Sequence, residues 1–169
     1  SNEWKAGGDQ RRQIMRDYLS YLDQVHAYLS IAAPNMELAV DVPFWWDKTE
    51  FQIVFDGQEK LFVEHVLDRV DWLGIMSYRR DPSEIVELIA IELNYASNFG
   101  HLRSVAPSME TGNISGKEAY ISFGGVPVKQ FRSSLSSLRN TYANNPHVRC
   151  IMLHHYDSLR EYLEESYCQ

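Results

Sequence analysis

Four short runs of this chain carry groups equipped for chemistry: "DVPFWWD" (41–47), "SYRRD" (77–81), "METG" (109–112) and "HHYD" (154–157). Each closes an apolar stretch and mixes aromatic, charged or imidazole side chains. Apolar stretches usually close on Gly, Ser, Thr or Asp, which make turns. Ends this rich in Trp, Tyr, Arg, Glu and His point to a polar pocket floored by rings. Sugars suit such a pocket, because their C–H faces stack on rings and their hydroxyls need many hydrogen-bond partners. Glu110 reads in two ways, as a working carboxylate at a pocket mouth or as a loop acid capping backbone amides.

The other groups also read in two ways. Asp41 lies inside an apolar run, and a buried carboxylate must be paired, hydrogen-bonded or protonated. Arg79 is its natural internal partner, since a guanidinium binds a carboxylate through two parallel bonds; Glu110 or a substrate acid are the other options. Trp45 and Trp46 are adjacent, so in a strand they face opposite ways. One can be a sugar platform while the other packs, or both pack. His154 and His155 likewise diverge, one of them toward a substrate hydroxyl or Glu110. Asp157 reads as the cap of the last helix. No metal or other cofactor is expected: a site needs at least three convergent ligands, and His26, His65, His101 and His147 are scattered. No GxGxxG, P-loop or GxSxG motif occurs.

The elements that must position these groups alternate. Met15, Tyr18, Leu22, Val25 and Leu29 predict a helix over 9–32, with Asp9 as its cap. A strand is expected over 37–45, a short helix over 58–69 and a strand over 70–78. Asp81-Pro82-Ser83-Glu84 starts a helix with an acidic cap, Pro at the first position and Glu at the reciprocal one; Gly100 ends it. A weaker strand spans about 102–109, where Arg103 and Pro107 demand irregular or edge pairing. A polar loop (111–126) leads to a helix opened by Pro127, with Val128, Phe131, Leu135, Leu138 and Tyr142 on one face. A strand over 148–156, with Cys150 buried in it, and a last helix complete the order αβαβαβαβα. Strands separated by helices favour a parallel sheet, whose ligands bind at the carboxyl ends of the strands.

Composition bounds the alternatives. The 169 residues carry a net charge of −7, which argues against nucleic-acid binding. No run approaches the roughly 18 apolar residues of a membrane span. Two isolated cysteines, Cys150 and Cys168, make neither a disulfide framework nor a zinc site. The expectation is a single domain over 1–169, with residues 1–8 a tag or disordered start.

The four strand-end runs, in this order and one per strand, resemble the C-terminal half of a glycoside-hydrolase-type (β/α)₈ barrel. More narrowly they resemble bacterial barrel proteins of unassigned activity with "D-x-P-F-W-x-D", "I-M-x-Y-R", "E-T-G" and "H-H-Y" on strands five to eight. The resemblance implies four βα units, half of a TIM-type barrel over 36–166, which a second chain could complete because about eight strands are needed to close. It implies Glu110 as nucleophile or base, with Asp41, Asp47, a second copy or a missing segment supplying the partner carboxylate. Trp45, Trp46, Tyr78, Arg79, His154, His155 and Tyr156 would then bind substrate. The expected function is a glycoside-hydrolase-like protein acting on a carbohydrate, or a fragment of one. The alternative is a non-catalytic carbohydrate-binding or scaffold half-barrel. Self-association is expected in either case.

Overall fold

A computed structural model describes residues 7–167 and the side chains of 7–164. Residues 1–6 and Cys168 lie outside the described residues. The chain is α/β. Helix α1 (Gly8–Ala32) precedes strand β1 (Ala39–Pro43) and two 3₁₀ turns, Phe44–Asp47 and Thr49–Phe51. Strands β2 (Gln52–Phe55) and β3 (Gln58–Leu61), helix α2 (Phe62–Leu67) and strand β4 (Trp72–Met76) follow. Then come α3 (Pro82–Leu88), α4 (Ala90–Phe99), β5 (Val105–Glu110), a 3₁₀ turn (Gly116–Ile121), α5 (Val128–Tyr142), β6 (Met152–His154) and α6 (Tyr156–Tyr167). The main sheet is parallel, in the order β1-β4-β5-β6, with β1 and β6 outermost among the described residues.

The chain forms two compact units. One comprises the residues up to Val40 together with Trp45–Leu73; the other comprises Asp41–Phe44 and the chain from Gly74 onward. In the first, α1 buries Met15, Leu19 and Leu22, spaced by four and three as one helical face requires. Gly8 is already helical and Asp9 accepts from Arg12 within the first turn, so Asp9 is not the cap. The expected helix over 58–69 is shorter: residues 58–61 pair with 52–55 as an antiparallel hairpin. Asp56 (φ 50°) and Gly57 (φ 75°) make the turn, two successive left-handed residues that match the twist of a two-residue hairpin loop. Arg69 fastens this unit, pairing with Asp23 at 3.0 Å and Asp56 at 2.6 Å above the Phe55 ring.

In the second unit, the helix start at Asp81 forms as the sequence predicts. Asp81 accepts from the Ser83 amide at 2.9 Å with Pro82 in the first turn. The third strand corrects the edge alternative, because β5 lies between β4 and β6 and all six of its residues are buried. Its pairing is nonetheless irregular. Val105 pairs with Val148 and Ser108 with Met152, so three steps of β5 face four of its neighbour, with Pro107 inside the slip. Pro lacks the N–H a regular ladder would use there, and an extra residue on the neighbour absorbs the fault. Residues 149–151 consequently leave the strand, and Cys150 in that bulge is exposed rather than buried. Among the described residues no helix is long and apolar enough to cross a membrane.

Candidate functional site

The second unit gathers polar groups at the carboxyl end of the parallel strands. In a parallel pair, partners in register point to one face, so Ser108 and Met152, and Glu110 and His154, share one side of the sheet. Glu110 is the last residue of β5 and only 6% exposed. Its carboxylate is held from two directions: the Gly112 amide donates to Oε1 at 2.5 Å, and Nδ1 of His154 donates to Oε2 at 2.6 Å. Hydrogen bonds to a charged acceptor are worth roughly 1.5–3 kcal/mol each, which offsets the burial of the acid. A Cβ at residue 112 would come within 2.9 Å of Oε1, so glycine there permits the close approach of backbone to carboxylate.

The flanking loop is pinned by hydroxyls. Ser122 donates to the carbonyls of Glu110 (3.3 Å) and Gly112 and accepts from the Gly124 amide. The Thr111 amide and hydroxyl donate to the His154 carbonyl at 2.9 and 3.0 Å. These bonds fix Glu110 and His154 relative to one another. The His154 ring stays half-exposed and lies 5.6 Å from the Tyr78 ring. Burial, then the negative charges of Glu110 and Asp41, push the Tyr78 phenol up to about 12. Tyr78 is therefore a neutral donor within electrostatic reach of both carboxylates.

Asp41 is exposed, which corrects the expectation that it is buried and paired with Arg79. The reason is its neighbour. Its Oδ1 is 2.0 Å from where a Cβ on Gly74 would be, so the carboxylate lies across a gap in the sheet surface that only glycine leaves. Arg79 pairs instead with Glu84 at 3.3 Å, donates to the Tyr78 carbonyl, and sits between the Phe44 and Tyr120 rings at 5.3 and 5.2 Å. Glu84 is thus an ion-pair partner for Arg79; the reciprocal cap expected of it is replaced by this bond.

His155 is taken up by the start of α6. Its amide donates to the Ser158 hydroxyl at 3.0 Å, and its carbonyl accepts from the Leu159 amide. That assigns the capping to His155 and Ser158, while Asp157 lies inside the helix with only a 3.9 Å contact to Arg160. Tyr156 is 75% exposed at the same helix start. Trp45, Trp46 and Asp47 belong to the first unit. The two tryptophans occupy a 3₁₀ turn rather than a strand, so they do not alternate faces as expected. Trp46 packs on Phe62 (4.5 Å) and Tyr18 (5.8 Å), and Trp45 on Phe51 (5.0 Å). Burial raises the Asp47 carboxyl above its ordinary value.

Sequence reasoning missed Gly74, Ser122 and Tyr120. Gly74 carried no signal beyond a small residue in an apolar run, while Ser122 and Tyr120 lie in a loop read only as polar. Among the described residues no three His, Cys, Asp or Glu side chains converge as metal ligands. No family model, curated protein or solved structure matches the chain.

Proposed function

We propose that the strand-end site of the second unit binds a carbohydrate and hydrolyses a glycosidic bond, on half of a TIM-type barrel. Glu110 acts as nucleophile or base, Asp41 as its electrostatic partner, and Tyr78 and His154 as donors to substrate. The observation that carries this reading is the Glu110 carboxylate. It is buried, oriented by Gly112 and His154, and placed where ligands of parallel sheets bind. A carboxylate fixed in this way attacks an anomeric carbon, or deprotonates a water that does, without reorganising first. The leaving oxygen needs a proton from a second acid, and Asp41 is the carboxyl of this unit that shares Tyr78 with Glu110.

A second reading, carbohydrate binding without cleavage, is favoured by the exposure of Asp41, because a general acid is usually raised by burial. One experiment separates the two. Aryl glycosides report turnover and titration with oligosaccharides reports binding, for the parent chain and Glu110→Gln. Loss of about a hundredfold or more in kcat/KM supports hydrolysis. Equal turnover removes Glu110 from the chemistry. Saturable binding with no turnover by the parent assigns the binding module, and neither binding nor turnover ends both readings.

A further inference from the structure

On the other side of β6 from Glu110, a groove of about 890 Å³ runs between α5 and the strand. Leu135, Arg139 and Tyr142 face it from α5, spaced by four and three on one stripe of the helix. Leu153 of β6 and Ile151, in the bulge just before it, line it as well. The third wall is the turn after α4. There Arg103 takes a left-handed conformation (φ 52°) and its amide donates to the Pro146 carbonyl at 2.9 Å, which holds that turn against the segment between α5 and β6. The groove's size is that of a small-molecule site.

Its charge is the informative feature. The chain carries −7 overall, yet the groove is lined by three arginines, 103, 139 and 149, and by no aspartate or glutamate. Arg103 and Arg139 are exposed, line the groove and make no ion pair among the described residues. Tyr142 is 8% exposed, and its phenol oxygen lacks a hydrogen-bond partner among the described residues. A buried hydroxyl left unbonded is costly, and an acceptor from a ligand would satisfy it.

We infer that this groove binds a small amphipathic anion: an apolar chain lying along Leu135, Ile151 and Leu153, with a terminal carboxylate held by Arg103 and Arg139. Guanidinium matches a carboxylate with two parallel bonds, and aliphatic walls suit a chain of methylenes. A neutral chain would leave the arginines unmatched, and an anion without a chain would leave the walls wet. Nothing in the inference depends on the carbohydrate reading, since the groove lies on the opposite side of the strand.

The test is calorimetric titration with decanoate below its micelle concentration, beside decanol and decyl phosphate. Saturable 1:1 decanoate binding is expected, with at least tenfold weaker binding in R103Q/R139Q and a smaller loss in Y142F. Decanoate should also slow maleimide labelling of Cys150, which lines the groove and is exposed, in a C168S background. The arginines are exposed, so the double variant keeps its fold, and its thermal midpoint checks this. Equal binding of decanol, binding unchanged in R103Q/R139Q, or no saturable binding overturns the inference. Tighter binding of decyl phosphate overturns the carboxylate assignment, and capture of an acidic peptide in place of decanoate replaces the small anion with a polypeptide.

Discussion

Gly74 is the residue on which the two-carboxylate reading turns. A methyl group there would stand 2.0 Å from Oδ1 of Asp41 and 2.8 Å from Sδ of Met152. Both are the far ends of flexible side chains, so they can move aside at small cost, and alanine suits a strand better than glycine. Gly74→Ala is therefore expected to change unfolding free energy by less than about 1 kcal/mol while displacing the Asp41 carboxylate. If Asp41 serves the chemistry, kcat/KM on the aryl glycoside falls in G74A, and adding Asp41→Asn to G74A costs little more. Urea titration and steady-state kinetics on the two variants measure this. Undiminished turnover in G74A would detach Asp41 from the site. The sequence made Asp41 a candidate but misjudged its burial. An apolar run shows which residues flank a carboxylate along the strand, not that the strand beside it offers glycine at the same level.

At the scale of elements, α2 and the β2–β3 hairpin meet at His65. Its ring is 1% exposed and its Nε2 is 3.3 Å from the Ile53 carbonyl. Burial pushes its pKa below the ordinary histidine value, against a smaller upward pull from that carbonyl. Between the folded value and about 6.5 the unfolded chain binds the proton and the folded chain does not, so stability rises with pH across that window. Acidification below about pH 6.5 should weaken the fold, with a slope of at most about 1.4 kcal/mol per pH unit until the folded value is passed. Urea unfolding of the parent and of His65→Gln between pH 5 and 7.5 tests this: the difference between the two slopes is the histidine's, and parallel slopes would refute it. The same hairpin marks the limit of what could be read. Asp56-Gly57 is a strong two-residue turn signal, but residues 58–61, Gln-Glu-Lys-Leu, favour helix by propensity and run into a true helix at Phe62. Tertiary pairing with 52–55 overrode that propensity. The α1 and α5 patterns were legible because each carries a helical period, whereas the single helix expected from Asp81 to Gly100 is two, α3 and α4, parted at Ile89. The irregular pairing around Pro107 was legible because a missing N–H is a local fact. The central position of β5 was not, because strand order is set by partners that no local pattern names.

For the molecule as a whole, the decisive feature is a four-stranded parallel sheet whose outermost strands among the described residues are β1 and β6. Parallel sheets are normally closed or covered, and about eight strands are needed for a filled barrel. The β6 edge is Met152-Leu153-His154, with no Lys or Pro of the kind that protects an exposed edge from pairing. Self-association through that edge is the expected consequence. Sedimentation equilibrium across a concentration series should show a species of twice the chain mass, and Leu153→Lys should shift it toward the monomer. A monomer at every concentration would remove self-association and leave the Glu110 site and the arginine groove to stand alone. The groove makes the prediction sharper. It is lined by Ile151 and Leu153, so a second copy seated on the edge and an anion in the groove compete for the same residues. Linkage then requires each to weaken the other by one common factor. Decanoate at saturation should lower the dimer fraction, and the decanoate affinity should fall as protein concentration rises. Association that ignores the anion would place the contact on the β1 edge instead.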